Sequence, residues 1–182
     1  MLYIMRHGKT DWNAVHKLQG RIDIPLNEEG RMMAAEAGKQ HADIHFDVCY
    51  SSPLVRAKET AEIFLKGRDV PVYTDDRLIE MAFGVYEGIE NSSAIKDCPI
   101  NLLFKKPEDY VTVEGGESFE ELFARTGKFI DDVVMPQVNE GKDILIVGHG
   151  AMNCSIIARF RGTSLDRFWD GMTANCQVVK LI

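Results

Sequence analysis

The chain has 182 residues, 45% of them hydrophobic and 27% charged, and a formal net charge of −7. This length supports one compact domain with a sizeable core and is slightly short for two, and the composition is that of a soluble globular protein. A nucleic-acid partner would call for a basic surface or stripe, and the sequence has neither.

In chain order, residues 2–5 form a short apolar run that predicts a buried strand, ending in Arg6-His7-Gly8. Asn27 followed by Glu28 and Glu29 predicts a capped helix with an acidic first turn, running to about residue 40. Residues 48–50 predict a second strand. After it, Ser51-Ser52-Pro53 turns into a helix carrying Arg56 and Thr60, with Pro53 suited to its first turn. Residues 70–73 predict a third strand. Residues 91–116 contain Pro99, Pro107, Gly115 and Gly116 with weak periodicity, and predict an irregular insertion or lid with one short helix. Ser118 and Glu121 predict a capping box that opens a long helix. Residues 144–147 are four consecutive apolar, mostly β-branched residues, expected deep in a parallel sheet, and end in Gly148-His149-Gly150. A helix over about 152–160 and a last strand over 177–182 complete the pattern. Alternating strands and helices predict a layered α/β fold.

No segment approaches the roughly 18 apolar residues of a membrane-spanning helix. The apolar start is too short for a secretory signal, so a cytoplasmic location is expected. Cys49, Cys98, Cys154 and Cys176 include no C-x-x-C pair and no zinc-ligand spacing, so they are expected to be reduced and mostly buried.

Polar residues recur just after strand ends, where open parallel sheets form their ligand crevice. Arg6 is a permanent cation able to grip an anion through two parallel hydrogen bonds, His7 is held by the strand before it, and Gly8 leaves room for a ligand. Arg56 falls in a first helical turn, at the end of the helix dipole that attracts anions. His149 stands between a strand and a helix, flanked by glycines, with the backbone N–H groups of Gly150 and Ala151 expected to face the crevice. Glu80 lies in an apolar stretch, where burial would raise its pKa and suit it to proton transfer; Glu87 is the competing choice. Each feature has an ordinary reading: an exposed helix arginine, a wet histidine, a surface ion pair. His16, His41 and His45 fit no pattern and are expected at the surface or at helix ends.

Together these segments resemble the histidine phosphatase (phosphoglycerate mutase-like) superfamily, in the family's order over nearly the whole chain. The order is R-H-G-x-T with W-N after it, S-P-L-x-R-A-x-x-T, L-x-E-x-x-x-G-x-x-E-G, G-G-E-S and V-x-H-G. The resemblance implies one domain over residues 1–182. Its fold would be a three-layer αβα sandwich with a mostly parallel central sheet and an antiparallel edge strand. It implies that His7 is a nucleophile that becomes phosphorylated, that Arg6, Arg56 and His149 complete the phosphate pocket, and that Glu80 is the proton donor. Asn13 would touch the phosphate, and Gln19 and Gly20 would form a substrate-side loop. Lys9 stands where the family often has Glu or Gln. Lys9, Gln19, Arg21 and Tyr86 are the expected rim. The implied substrate is a small phosphorylated metabolite, with no metal or other cofactor.

A phosphate monoester carries nearly two negative charges. Each cation about 4 Å away contributes on the order of 4 kcal/mol of raw attraction at an effective dielectric of 20, before desolvation. The small size, the G-V-Y-E-G segment and G-G-E-S resemble the small bacterial branch that includes α-ribazole phosphatases and broad-specificity acid phosphatases, so the activity the resemblance implies is that of a phosphatase. A cofactor-dependent phosphoglycerate mutase is the second reading, but residues 91–116 have no arginine pair, only Lys96, Lys105 and Lys106. A silent phosphate-binding module is the third, and it would be expected to have lost His7 or Glu80. Oligomeric state is not legible.

Overall fold

The computed structural model describes all of residues 1–182. Five strands, β1 (Leu2–Arg6), β2 (Val48–Ser51), β3 (Val72–Thr74), β4 (Ile144–Gly148) and β5 (Val178–Lys180), form one sheet in the order β3-β2-β4-β1-β5. All neighbouring pairs are parallel except β1 with β5, which is the antiparallel edge. β1 and β4 run side by side in register from Leu2 opposite Ile144 to Arg6 opposite Gly148.

Side chains alternate across this sheet and divide the core. Tyr3, Met5, Cys49, Leu145 and Val147 face one way. After a single helical turn, α1 (Asp11–Ala14), come α2 (Glu28–Gln40) and α3 (Val55–Phe64), and the side chains of this face pack under them through Ala34, Ala57, Ala61 and Phe64. Leu2, Ile4, Val48, Ile144 and Ile146 face the other way. There they meet Phe129 of α5 (Phe119–Phe129) and Ile156 and Ile157 of α7 (Gly150–Arg161). The result is a three-layer αβα sandwich. β1 and β4 are apolar on both faces because both faces are covered.

The caps expected from sequence are present. Asn27 accepts from the Gly30 N–H, and Ser118 and Glu121 exchange capping-box hydrogen bonds. Several boundaries moved. β3 begins at Val72, not residue 70, because Pro71 has no N–H and lies before the ladder, offering only its carbonyl to Cys49 N–H. Pro53 stands outside α3, whose N-cap is Leu54. α7 begins at Gly150, two residues early, and β5 is shorter than expected. The helix after Ser118 does not run uniformly. It passes through a π-helical turn at Ile130–Val134 before α6 (Met135–Asn139), whose second residue is Pro136, which cannot donate to an α-helical ladder.

Within residues 91–116 one short α-helix, α4 (Asn101–Lys105), stands between 3-10 turns at Ser92–Ala94 and Pro107–Asp109. A 3-10 segment over Leu165–Gly171, not anticipated, packs against it, with the Trp169 indole N–H donating to Leu103 O at 2.7 Å. No helix is long and apolar enough to cross a membrane. All four cysteines are buried and unpaired.

Candidate active site

The carboxyl ends of β1, β2 and β4 open on a cavity of about 310 Å³. Arg6, His7, Asn13, Gln19, Gly20, Arg56, Glu80, Gly150 and Ala151 all line it, although they come from distant segments. His149 is fully buried directly behind this lining, its ring centroid 5.2 Å from that of His7.

His7 is fixed by its surroundings. Nδ1 lies 2.6 Å from Gly8 O. A carbonyl can only accept, so Nδ1 carries the proton and Nε2 carries the lone pair. The His7 carbonyl accepts from Asn175 Nδ2 at 2.7 Å, and the Gly8 N–H donates to Thr60 Oγ1. Thr60 in turn donates to Arg56 O, so the first and second motifs are tied together through one hydroxyl. Burial, followed by the charges of Arg56 and Arg6, holds the His7 imidazole well below its usual pKa, and His149 is held low mainly by burial too. Both rings are therefore neutral near pH 7. Both ring nitrogens of His149 are buried with no protein partner.

The two guanidiniums are held by carbonyls, which leaves their charge uncompensated by any ion pair. Arg56 donates to Gly20 O at 2.7 Å and Ile22 O at 2.9 Å, while Arg6 donates to Thr173 O at 3.3 Å. The Nε of each is buried without a partner. Burial lowers Arg56 to about 10, and lowers Arg6 also, yet both remain cations at neutral pH. An acidic chain thus concentrates positive charge at one point, where an anion would compensate it.

The setting of Glu80 differs from the apolar one expected. Its carboxylate accepts from the N–H groups of Met81, Ala151 and Met152 at 2.8, 3.2 and 3.0 Å, and so caps the start of α7. The Ala151 N–H, expected to face a ligand, is taken up by Glu80. Glu80 is positioned from behind by the G-G-E-S motif. Glu117, nearly buried, binds Arg125 and Arg21, and Arg21 Nε donates to Glu80 O. Glu87 does not line the cavity; one of its oxygens accepts from the Arg21 and Phe83 N–H groups.

The rim also differs. Lys9 pairs with Glu29, Arg21 serves Glu117 and Glu80, and Tyr86 packs against the core, so none of the three lines the cavity. His16, expected to be merely superficial, is exposed but lines it, with Lys17 and Leu18. His41 and His45 stay outside, at the end of α2 and on Asp47. The opposite wall comes from Phe83, Ser92, Phe104, Trp169 and Met172. Asn175, Trp169 and Met172 sit in a stretch without apolar periodicity, and only Gln177 onward signalled an element there. No three His, Cys, Asp or Glu side chains converge in a way that could hold a metal ion.

Residues 2–182 match the model of the histidine phosphatase superfamily, branch 1. The chain belongs to this superfamily. Among similar proteins, Uncharacterized phosphatase PhoE of Bacillus subtilis is 35% identical over 87% of this chain and 76% of its own length. Phosphoserine phosphatase 1 of Hydrogenobacter thermophilus is 30% identical over 92% of this chain and 79% of its own. A 2,3-bisphosphoglycerate-dependent phosphoglycerate mutase of Cytophaga hutchinsonii is 30% identical over 82% of this chain and 72% of its own. The solved structure of Bacillus stearothermophilus YhfR superposes with a TM-score of 0.88 at 33% identity, covering 97% of this chain and 88% of that one. The family's layered fold, including its antiparallel edge strand, is the fold found here.

Proposed function

We propose that the chain is a metal-independent phosphatase that hydrolyses a small phosphate monoester through a phosphohistidine on His7. The observation that carries this reading is the His7 ring. It is neutral, its tautomer is set by Gly8 O, and it stands beside two guanidiniums that make no ion pair and a second neutral imidazole. The Nε2 lone pair attacks phosphorus as the bond to the leaving oxygen breaks. Arg6 and Arg56 hold the equatorial oxygens, and His149 donates one hydrogen bond to them. Glu80, entering as the acid, gives its proton to the leaving oxygen. It then removes a proton from the water that cleaves the phosphohistidine. The guanidiniums supply the charge stabilisation that a metal ion supplies in other phosphoryl transfers.

The mutase reading fits less well, although mutases are among the relatives. The only arginines lining the cavity are Arg6 and Arg56, and Lys96, Lys105 and Lys106 of the 91–116 segment are not part of the lining, so a second phosphate has no bidentate clamp. The test is phosphate release from p-nitrophenyl phosphate and from 3-phosphoglycerate with excess chelator. The expected result is release that chelator does not change and that His7→Ala abolishes. Interconversion of phosphoglycerates without release would favour the mutase, and loss of activity in chelator would refute metal independence.

A further inference from the structure

One side of the cavity takes no part in the phosphate chemistry described above. Phe83, Phe104 and Trp169 continue one another there, with ring centroids 6.0 Å apart between the first two and 5.2 Å between the last two. The Trp169 N–H is already committed to Leu103 O, so the indole offers only its apolar ring. Met172 joins this wall to the phosphate pocket. Its N–H donates to Trp169 O, its sulfur lies 3.5 Å from Arg6 Nη1, and its methyl lies beside Gly150. The wall thus begins beside the guanidinium that would hold the phosphate and runs through Met172 to the aromatic rings. Phe104 is carried by α4 and Trp169 by the 3-10 segment at Leu165–Gly171.

The polar groups of the cavity do not suit a zwitterionic or doubly charged alcohol portion. Glu80 is the only carboxylate in the lining, and besides accepting three backbone N–H groups it is the group assigned to proton transfer, so no second carboxylate is left to hold a substrate ammonium. Apart from Arg6 and Arg56 the only permanent cation is Lys17, whose ammonium already stands 4.5 Å from the Trp12 ring centre.

We infer that the alcohol portion of the substrate is an aromatic or similarly flat apolar group, stacked against Phe104 and Trp169 while its phosphate lies at Arg6 and His7. This rests on the phosphatase reading and narrows it to a substrate class. Polarisable sulfur and ring faces are the partners such a group prefers.

The test separates ring recognition from leaving-group chemistry. Ethyl phosphate and 2-phenylethyl phosphate release alcohols of similar acidity, so a difference in kcat/KM reports binding of the ring. The phenylethyl ester is expected to be favoured at least about tenfold, since even one buried methylene is worth roughly that much. Trp169→Ala and the milder Phe104→Leu are each expected to shrink this ratio by threefold or more. Competitive inhibition by benzylphosphonate and ethylphosphonate asks the same question without turnover, again with at least tenfold tighter binding of the benzyl compound expected. Ratios near one for both pairs in the unaltered protein overturn the inference while leaving the phosphatase reading intact. Phosphate release from neither ester, with benzylphosphonate still preferred, overturns the phosphatase reading and supports the wall.

Discussion

Glu80→Gln keeps the size of the side chain but alters two things: a titratable proton and a cap on α7. In the native chain Glu80 Oε1 accepts from the Met81 and Met152 N–H groups, and Oε2 accepts from the Ala151 N–H. Glutamine keeps one oxygen, which can take the Oε1 position, so its NH₂ then faces the Ala151 N–H. A buried donor left without an acceptor costs roughly 1–3 kcal/mol. This corresponds to a fall in Tm of roughly 2–12 °C for a chain of this size. The chemical effect is separable from this, because assays at 20 °C sample folded protein, as circular dichroism can verify. Loss of a general acid is expected to slow ethyl phosphate by roughly 10²–10⁴-fold. p-Nitrophenyl phosphate, whose leaving group needs little protonation, should slow far less. Equal slowing of both esters would refute the assignment of the acid to Glu80, and an unchanged Tm would refute the capping argument.

Other consequences follow from the same geometry. The imidazoles of His7 and His149 resist protonation when folded but take protons near pH 6.5 when unfolded. Their contribution to stability is therefore lost as pH falls from about 6.5 towards the folded pKa values, at about 1.4 kcal/mol per pH unit for each ring. Urea unfolding at pH 7.5 and 5.5 in phosphate-free buffer should show a smaller pH dependence in a His7→Asn/His149→Asn double variant, and an identical dependence would count against the buried neutral pair. Thr60→Val removes the acceptor of the Gly8 N–H. It should lower Tm by roughly 2–8 °C and reduce kcat, and a wild-type melting curve would show that the bond contributes nothing. At Gly20, φ is +50° and an added Cβ would collide with the Glu87 carboxylate, which holds Arg21 and Phe83. Gly20→Ala should lower kcat/KM at least tenfold. Gly141→Ala, at φ +90° in open space, should affect only stability, and equal losses in both would mean that backbone strain alone is responsible.

The parts of this structure that depend on local rules were legible in the sequence. β1 and β4 announced themselves as unbroken apolar runs because both of their faces are covered, and the caps at Asn27 and Ser118 use side chains within three residues. The residues that meet at the cavity were legible because they lie at or just after strand ends, so topology gathers them without knowledge of packing. What escaped depends on contacts between distant segments. The early start of α7 at Gly150 has no local signal, because its cap is the carboxylate of Glu80, more than seventy residues away in the chain. The same remote contact makes Glu80 a hydrogen-bonded group, where its apolar neighbours in sequence implied an unsolvated one. Asn175 holds His7 through a single amide, and Trp169 and Met172 reach the cavity from 3-10 and loop backbone, so neither a period of two nor one of 3.6 marked them. Lys9, Arg21 and Tyr86 were expected at the rim, but their partners, Glu29, Glu117 and the core, which lie far off in sequence or in another layer, draw them away.

Whether phosphate passes through the protein at all is answered most directly by trapping. The unaltered chain would be mixed with ³²P-labelled substrate, quenched in alkali within the first turnover, and the labelled peptide identified, with the position of attachment on the ring read by NMR. The geometry predicts an acid-labile, alkali-stable phosphate on Nε2 of His7. Label on any other residue, on Nδ1, or absent from the protein during a full burst of product would contradict it.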